Sequence, residues 1–158
     1  MQSPHKWQKY WEILLHARDV FGPQKFGAHI IVGMGETEHA VLELVQQLVD
    51  LGGHSHLFCF FPEQGSLMDH LPATPRDQWR RVQLARYLID YAGVRVDQMS
   101  FDAEGRVTGY GLAPAEVDQV IRWLTGFDDA ALSGHLAAGT TFEDLFAAAR
   151  LHPHADLI

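Results

Sequence analysis

The stretch that decides the fold is "GAHIIVGMGETE", Gly27 to Glu38. Residues 28–32, "AHIIV", form a short, β-branched and almost unbroken apolar run, which is typical of a parallel strand covered on both faces. Gly33 and Gly35 follow, and Thr37 stands where it can cap a helix. The stretch predicts a strand, a glycine turn and a helix, with the glycines at the strand's carboxyl end, where α/β proteins bind ligands.

The pattern continues on both sides of this stretch. Apolar residues at helical spacing predict a helix over 4–21 with Ser3 as its N-cap, and the helix after Thr37 should end at 52–53, "GG". "HLFCFF", residues 56–61, predicts a second strand, and "TPRDQWRRVQLARYLIDYAG" predicts a third helix capped by Thr74. Two parallel strands with crossover helices indicate part of an α/β sheet or barrel.

The chain changes character after residue 95. "VDQMSFDAEGRVTGYG" predicts two short strands joined through residues 102–105, and helices are expected over 114–125 and 141–151. A parallel sheet of two strands leaves both edges unpaired, and its apolar faces should be covered. The sequence therefore indicates half of a larger assembly.

Composition limits the class of protein. With 158 residues, 47% apolar and 20% charged, the chain can form one domain with a hydrophobic core. A net charge of −8 disfavours nucleic acid and anionic membranes as partners, because both require clustered cations. No window approaches the roughly 20 apolar residues of a membrane span, so a cytoplasmic location is expected. The single cysteine, Cys59, permits no internal disulfide and cannot hold an iron–sulfur cluster alone.

Spacing alone leaves two interpretations of the glycine turn. A dinucleotide fingerprint requires a third glycine at position 38, where Glu38 stands, and Glu36 adds negative charge that would repel a pyrophosphate. This excludes a Rossmann site and a P-loop. Either Gly33 and Gly35 merely make a tight turn whose glutamates favour the helix dipole, or their backbone receives another ligand.

Several motifs in order resemble one family. "IVGMGET", residues 31–37, resembles the fifth-strand motif of radical S-adenosylmethionine enzymes, especially biotin synthase and lipoyl-synthase-like proteins. "HLFCFFPEQGS" is similar to their sixth strand and turn, "WRRVQLARYLID" to their last barrel helix, and "FDAEGRVTGYG" to an extension that covers the barrel. The resemblance covers about residues 7–111. It implies an α/β fold made of the last two βα units of a partial barrel plus a hairpin over 1–112, and a helical extension over 113–158.

The resemblance also implies a cofactor and its contacts. Ile31 would lie against the adenine of S-adenosylmethionine, the glycines Gly33 and Gly35 would leave room, and Glu36 would organise polar contacts near the ribose. The sixth strand would hydrogen-bond and stack beside the adenine through Phe58, Phe60 and Phe61. In such enzymes a 4Fe-4S cluster supplies the electron that produces a 5′-deoxyadenosyl radical.

Departures from the family decide the expected partners. The cluster loop CxxxCxxC and the first four strands have no counterpart, and His29 replaces a glycine of the stricter motif. The 4Fe-4S cluster would have to come from a cluster-bearing N-terminal half or subunit, and sulfurtransferase-like activity would depend on it. The alternative is a non-catalytic remnant or regulatory module that self-associates through its exposed sheet edge; a metal hydrolase is a third hypothesis.

Other residues support simpler interpretations. Cys59 is expected to be a buried inert thiol. His54 and His56 share one strand face, but they precede the apolar run, away from the catalytic rim, so no metal is assigned to them. Trp7 and Trp11 are expected in the core or a subunit contact. Arg76–Arg81 is interpreted as a solvated helix face. Glu63 and Ser66 are placed in a surface turn that could contact substrate, and His152 and His154 in a frayed tail.

Overall fold

The computed structural model describes residues 6–125 of the chain. Its helices are α1 (Trp7–Phe21), α2 (Glu38–Asp50), α3 (Arg76–Tyr91) and α4 (Pro114–Thr125). Its strands are β1 (Gly27–Val32), β2 (His54–Cys59), β3 (Ser100–Phe101) and β4 (Val107–Gly109), with a 3-10 turn at Val96–Gln98. Within this range no helix combines the length and apolar character needed to cross a membrane.

The glycine turn follows the first strand of a two-stranded parallel sheet. β1 pairs with β2 in a register that places Ile31 opposite Phe58 and His29 opposite His56. Helix α2 makes the crossover between them, and the Thr37 hydroxyl caps it by accepting a hydrogen bond from the Ala40 N–H at 3.1 Å. A second, antiparallel pair is formed by β3 and β4.

The core lies between one face of the sheet and helices α2 and α3. Ile30 and Val32 of β1 point into it, since alternate residues of a strand face the same side. Helix α1 adds the half-buried Trp11 and Leu14. The largest fully buried hydrophobic side chains are Leu42, Leu48, Leu84, Leu88, Val32, Val45 and Val82.

The other face of the sheet is uncovered by residues 6–125. Ile31 and Phe58 are each 49% exposed, and His29 and His56 beside them are exposed as well. We call this surface the open face and define it by His29, Ile31, His54, His56 and Phe58. Parallel sheets normally have both faces covered by helices or by another layer, so an uncovered face is unusual.

Three expectations about the elements need correction. β2 begins at His54 rather than His56, so both histidines lie inside the strand. Thr74 does not cap α3, whose N-cap is Pro75. Cys59 is half-buried rather than fully buried. Ser3, His152, His154 and the helix expected over 141–151 lie outside the described residues, and the placement of the βα units in a partial barrel stays a prediction.

Candidate functional site

A groove lies at the carboxyl end of the sheet on the open face. Met34 is 42% exposed and Phe61 71% exposed, and the groove lining contains no Asp, Glu, Lys or Arg. Such a surface offers apolar area and ring faces, with few groups that could fix a polar ligand. Its lining residues are His29, Ile31, Met34, Phe58, Cys59, Phe60 and Phe61.

The glycine turn beside the groove is closed by its own chain. The Glu36 carboxylate accepts hydrogen bonds from the N–H groups of Gly33 at 2.5 Å and Met34 at 2.9 Å. These are the N–H groups that would otherwise donate hydrogen bonds to a bound anion. The negative carboxylate therefore occupies the anion-binding position of the turn.

Thr74 fills the space that Gly33 leaves. Its hydroxyl donates to the Val32 carbonyl at 2.6 Å and accepts from the Phe60 N–H at 2.9 Å, joining the ends of both strands. A Cβ on Gly33 would lie 2.9 Å from the Thr74 Cβ, closer than real contacts allow. Gly33 therefore has a structural reason to be glycine, besides its φ of 101°.

The predicted site residues separate into two groups. Ile31, Phe58, Phe60 and Phe61 come together in the groove, and sequence reasoning missed Met34, whose only signal is an apolar side chain between two glycines. The other three, Gly33, Gly35 and Glu36, form the adjacent turn and do not line the groove. Gly35 has a φ of 115°, and a Cβ there would meet nothing within 4 Å, so its backbone angle alone favours glycine.

Three histidines share the amino-terminal part of the open face. The ring of His56 lies 5.0 Å from that of His54 and 5.4 Å from that of His29, measured between centroids. Burial and the neighbouring His54, His29 and Arg86 lower the pKa of His56. Within residues 6–125 no three histidine, cysteine or acidic side chains are grouped so that they could hold a metal ion.

A buried ion pair fastens the hairpin to the helices. Glu38 is only 3% exposed, and Arg81 donates to both of its oxygens at 2.6 to 3.1 Å. The same carboxylate accepts the Val107 N–H at 2.8 Å, which ties β4 to α2. Beside it, burial raises the pKa of Tyr110 to about 12. Arg81 is thus a partner in the core network, not part of a solvated face as the sequence suggested.

The remaining polar candidates lie away from the groove. Glu63 and Ser66 are exposed in the turn after β2, where the Ser66 N–H donates to the Glu63 carbonyl at 3.1 Å. Trp11 packs on the core, whereas Trp7 is 60% exposed and stacks on Trp11 with ring centroids 5.9 Å apart. None of these residues lines the groove on the open face.

Comparison with known proteins finds a family match for the C-terminal third of the chain. Residues 103–158, about a third of the chain, match the family described as an uncharacterized protein conserved in bacteria, DUF2200. No curated protein and no solved structure matches the chain.

These comparisons overturn the resemblance inferred from the motifs. The matched segment lies almost entirely beyond residues 7–111, and the family matched is not a radical S-adenosylmethionine family. The identification of the chain as the C-terminal half of a biotin- or lipoyl-synthase-like enzyme is therefore wrong. The turn in "IVGMGET" has a structural explanation that needs no adenosyl ligand. Glu36 accepts the hydrogen bonds of the turn's N–H groups, and Thr74 donates to the carbonyl that precedes it.

Proposed function

We propose that this chain is a non-catalytic assembly module whose open face packs against the open face of a second copy. One observation carries the proposal: Ile31 and Phe58 stand side by side on an uncovered parallel sheet, each 49% exposed. Because about half of each side chain is already buried, covering the remainder is worth about 1 kcal/mol each. A second copy would supply the missing layer that parallel sheets require.

Charge favours a second copy as the occupant. The strand sequences "GAHIIV" and "HSHLFC" contain no Asp, Glu, Lys or Arg, although the whole chain has a net charge of −8. Two identical acidic molecules approach with least repulsion where neither presents a carboxylate. A two-fold axis would then bring the same apolar patch of each protomer together, as isologous dimers do.

The sheet edges support the same proposal. In β2 the His54 and Phe60 N–H groups donate to β1, so the backbone of Ser55 points to the outer edge. The Arg86 side chain donates to the Ser55 carbonyl at 2.8 Å and so protects part of that edge. For the outer backbone groups of Gly27, His29 and Ile31 in β1, no hydrogen bond to another described residue is present. An unpaired edge of this kind is normally covered in a stable assembly, which favours a module that is completed by a second copy.

The proposal predicts that Phe58→Glu separates the dimer. A carboxylate placed on each side of an apolar interface would be buried without a partner, which costs several kcal/mol. We expect the dimer dissociation constant to rise by about 100-fold, as measured by sedimentation equilibrium. Because Phe58 is half exposed, the variant should retain a native circular dichroism spectrum as a monomer.

Leu67→Glu is the matched control for this experiment. Leu67 is 96% exposed in the loop after β2 and lies outside the groove, so the same gain of charge should leave association unchanged. A Phe58→Glu protein that dimerises as tightly as the unmodified chain would rule out the open face as the interface. Equal loss in both variants would instead indicate that added charge alone separates the molecules.

A second candidate function is the binding of a flat aromatic ligand in the groove. Three phenylalanines and Ile31 converge at the carboxyl ends of the strands, where α/β proteins bind ligands. The predicted cofactor S-adenosylmethionine is the first probe, and its adenine would stack on Phe58. Isothermal titration that detects no heat at millimolar ligand would eliminate it. The 4Fe-4S cluster and its cluster-bearing partner have no further support among the contacts described above.

A cytoplasmic location belongs to the same proposal. The half-buried Cys59 is the only cysteine of the chain, so no internal disulfide contributes to its stability. A thiol beside a subunit contact is best kept reduced, as it is in the cytoplasm. Location of the tagged chain by fractionation tests this part of the proposal.

A further inference from the structure

We infer that the second copy binds only while His29, His54 and His56 are neutral, so that mild acidification separates the dimer. This inference rests on the proposed function, since it concerns the regulation of the same open face. The three side chains occupy its amino-terminal part, and Ile31 and Phe58 occupy its carboxyl-terminal part. Any contact that covers the apolar pair therefore lies next to the imidazoles.

The geometry places the imidazoles too close together to be charged at low cost. His56 contacts the rings of both His54 and His29 edge to face, and His29 lies 5.0 Å from the Phe58 ring. Two positive charges at such a distance repel each other, and the repulsion grows when solvent is removed. A dimer would enclose two such clusters, six imidazoles in all.

The groups that face the cluster are a cation and one carboxylate that is shared with that cation. From α3, Arg86 adds a positive charge that acts on His56. Asp90 of the same helix is a carboxylate that acts on His54, but it also pairs with Arg86 at 2.5 Å. β1 contributes His29, and neither strand contains an acidic residue. A proton gained by His56 therefore lies beside two imidazoles and the Arg86 cation, and the carboxylate close to the cluster is shared with Arg86.

The direction of the pH effect follows from proton linkage. Free protomers would bind protons on the three histidines more readily than the dimer, because the dimer removes water from them. Dissociation is then accompanied by proton uptake, and the dissociation constant rises as the pH falls through the range in which His56 gains a proton. That range lies below the ordinary histidine value of about 6.5, because burial and the neighbouring charges lower the pKa of His56. Net charge acts in the opposite direction, since the chain loses its repulsive negative charge towards its pI of about 5.6. Weaker association on acidification would thus not come from overall charge.

Sedimentation equilibrium of the full chain at points from about pH 8 to about pH 5 tests the inference, because the lowered pKa of His56 places its protonation in the acidic part of this range. We expect the dissociation constant to rise about tenfold between these limits, and to stay constant in a His29→Gln/His54→Gln/His56→Gln variant. His70→Gln, which changes an exposed loop histidine away from the sheet, should keep the full pH response. A circular dichroism spectrum confirms that each variant is folded, and His56→Gln alone should show a reduced response if the triple variant unfolds.

The outcomes separate the inference from the proposed function. A dimer of constant affinity from about pH 8 to about pH 5 would overturn the inference and leave the assembly module intact. A triple variant that keeps the wild-type response would also overturn it, because other groups would then titrate. A monomer at every pH would overturn both, and that result is distinct from the other two.

Discussion

Replacing Glu38 by Gln should destabilise the protein by about 3 kcal/mol, the low end of the range for breaking a buried ion pair. Among residues 6–125, the substitution leaves Arg81, whose side chain is 26% exposed, with Asp77 as its negative partner. It also weakens the acceptor of the Val107 N–H, so the hairpin should loosen from α2. Urea denaturation followed by circular dichroism measures the free energy of unfolding.

Asp77→Asn is the matched control, because it removes the other carboxylate from the same Arg81. Asp77 is 71% exposed and pairs with Arg81 at 2.8 Å, and this hydrogen bond lowers the pKa of Asp77. Exposed pairs contribute about 0–1 kcal/mol, so the loss should be within that range. Equal losses in the two variants would mean that burial of the Glu38–Arg81 pair does not increase its contribution to the free energy of unfolding.

Replacing Gly33 by Ala should destabilise the protein by about 2–6 kcal/mol, through two separate effects. A residue with a Cβ at a φ of 101° is strained by about 1–3 kcal/mol. The new methyl group would also displace Thr74, whose hydroxyl joins the Val32 carbonyl and the Phe60 N–H. Losing these buried hydrogen bonds costs about 1–3 kcal/mol more.

Gly35→Ala separates the two effects of that substitution. Gly35 has a comparable φ of 115°, but a methyl group there would have no neighbouring atom within 4 Å, so only the backbone strain should appear. The free energy of unfolding of both variants, again from urea denaturation, gives the Thr74 contribution by difference. Equal destabilisation would contradict the role assigned to Thr74 in closing the turn.

Local signals in the sequence were enough to predict several elements. Thr37 caps α2 as expected, since a cap and the first turn lie within a few residues of each other. The turn at Asp102 also follows local chemistry: its carboxylate accepts the Glu104 and Arg106 N–H groups at 3.0 and 2.8 Å. For such features no information from distant parts of the chain is needed.

The start of β2 could not be predicted from an apolar run. A strand with one uncovered face alternates, so His54 and His56 point outward while Ser55 and Leu57 point towards the helices. A search for a continuous apolar segment assumes that both faces are covered, and it therefore begins two residues late. The same assumption hid the fact that the two histidines join Phe58 on one surface.

The candidate site was predicted in part, for a physical reason. Ile31 and Phe58 meet because strand register brings neighbours of one sheet together, and alternation predicts which side they share. The closure of the turn depends on Thr74, which lies 42 residues from Val32. Glu38 and Arg81 are 43 residues apart. Contacts over such separations are decided by tertiary packing, which a single sequence does not reveal.

The most direct test of the account is an isotope-filtered nuclear Overhauser experiment on a mixture of labelled and unlabelled chains at pH 8. If two open faces pack together, contacts between molecules should link the Phe58 ring to the Ile31 methyl groups. All contacts between molecules at the Ile31 methyl groups should also disappear in Phe58→Glu and be retained in Leu67→Glu, which would assign them to the interface. Contacts between molecules that leave Ile31 and Phe58 out, or no contacts between molecules at all, would contradict the account.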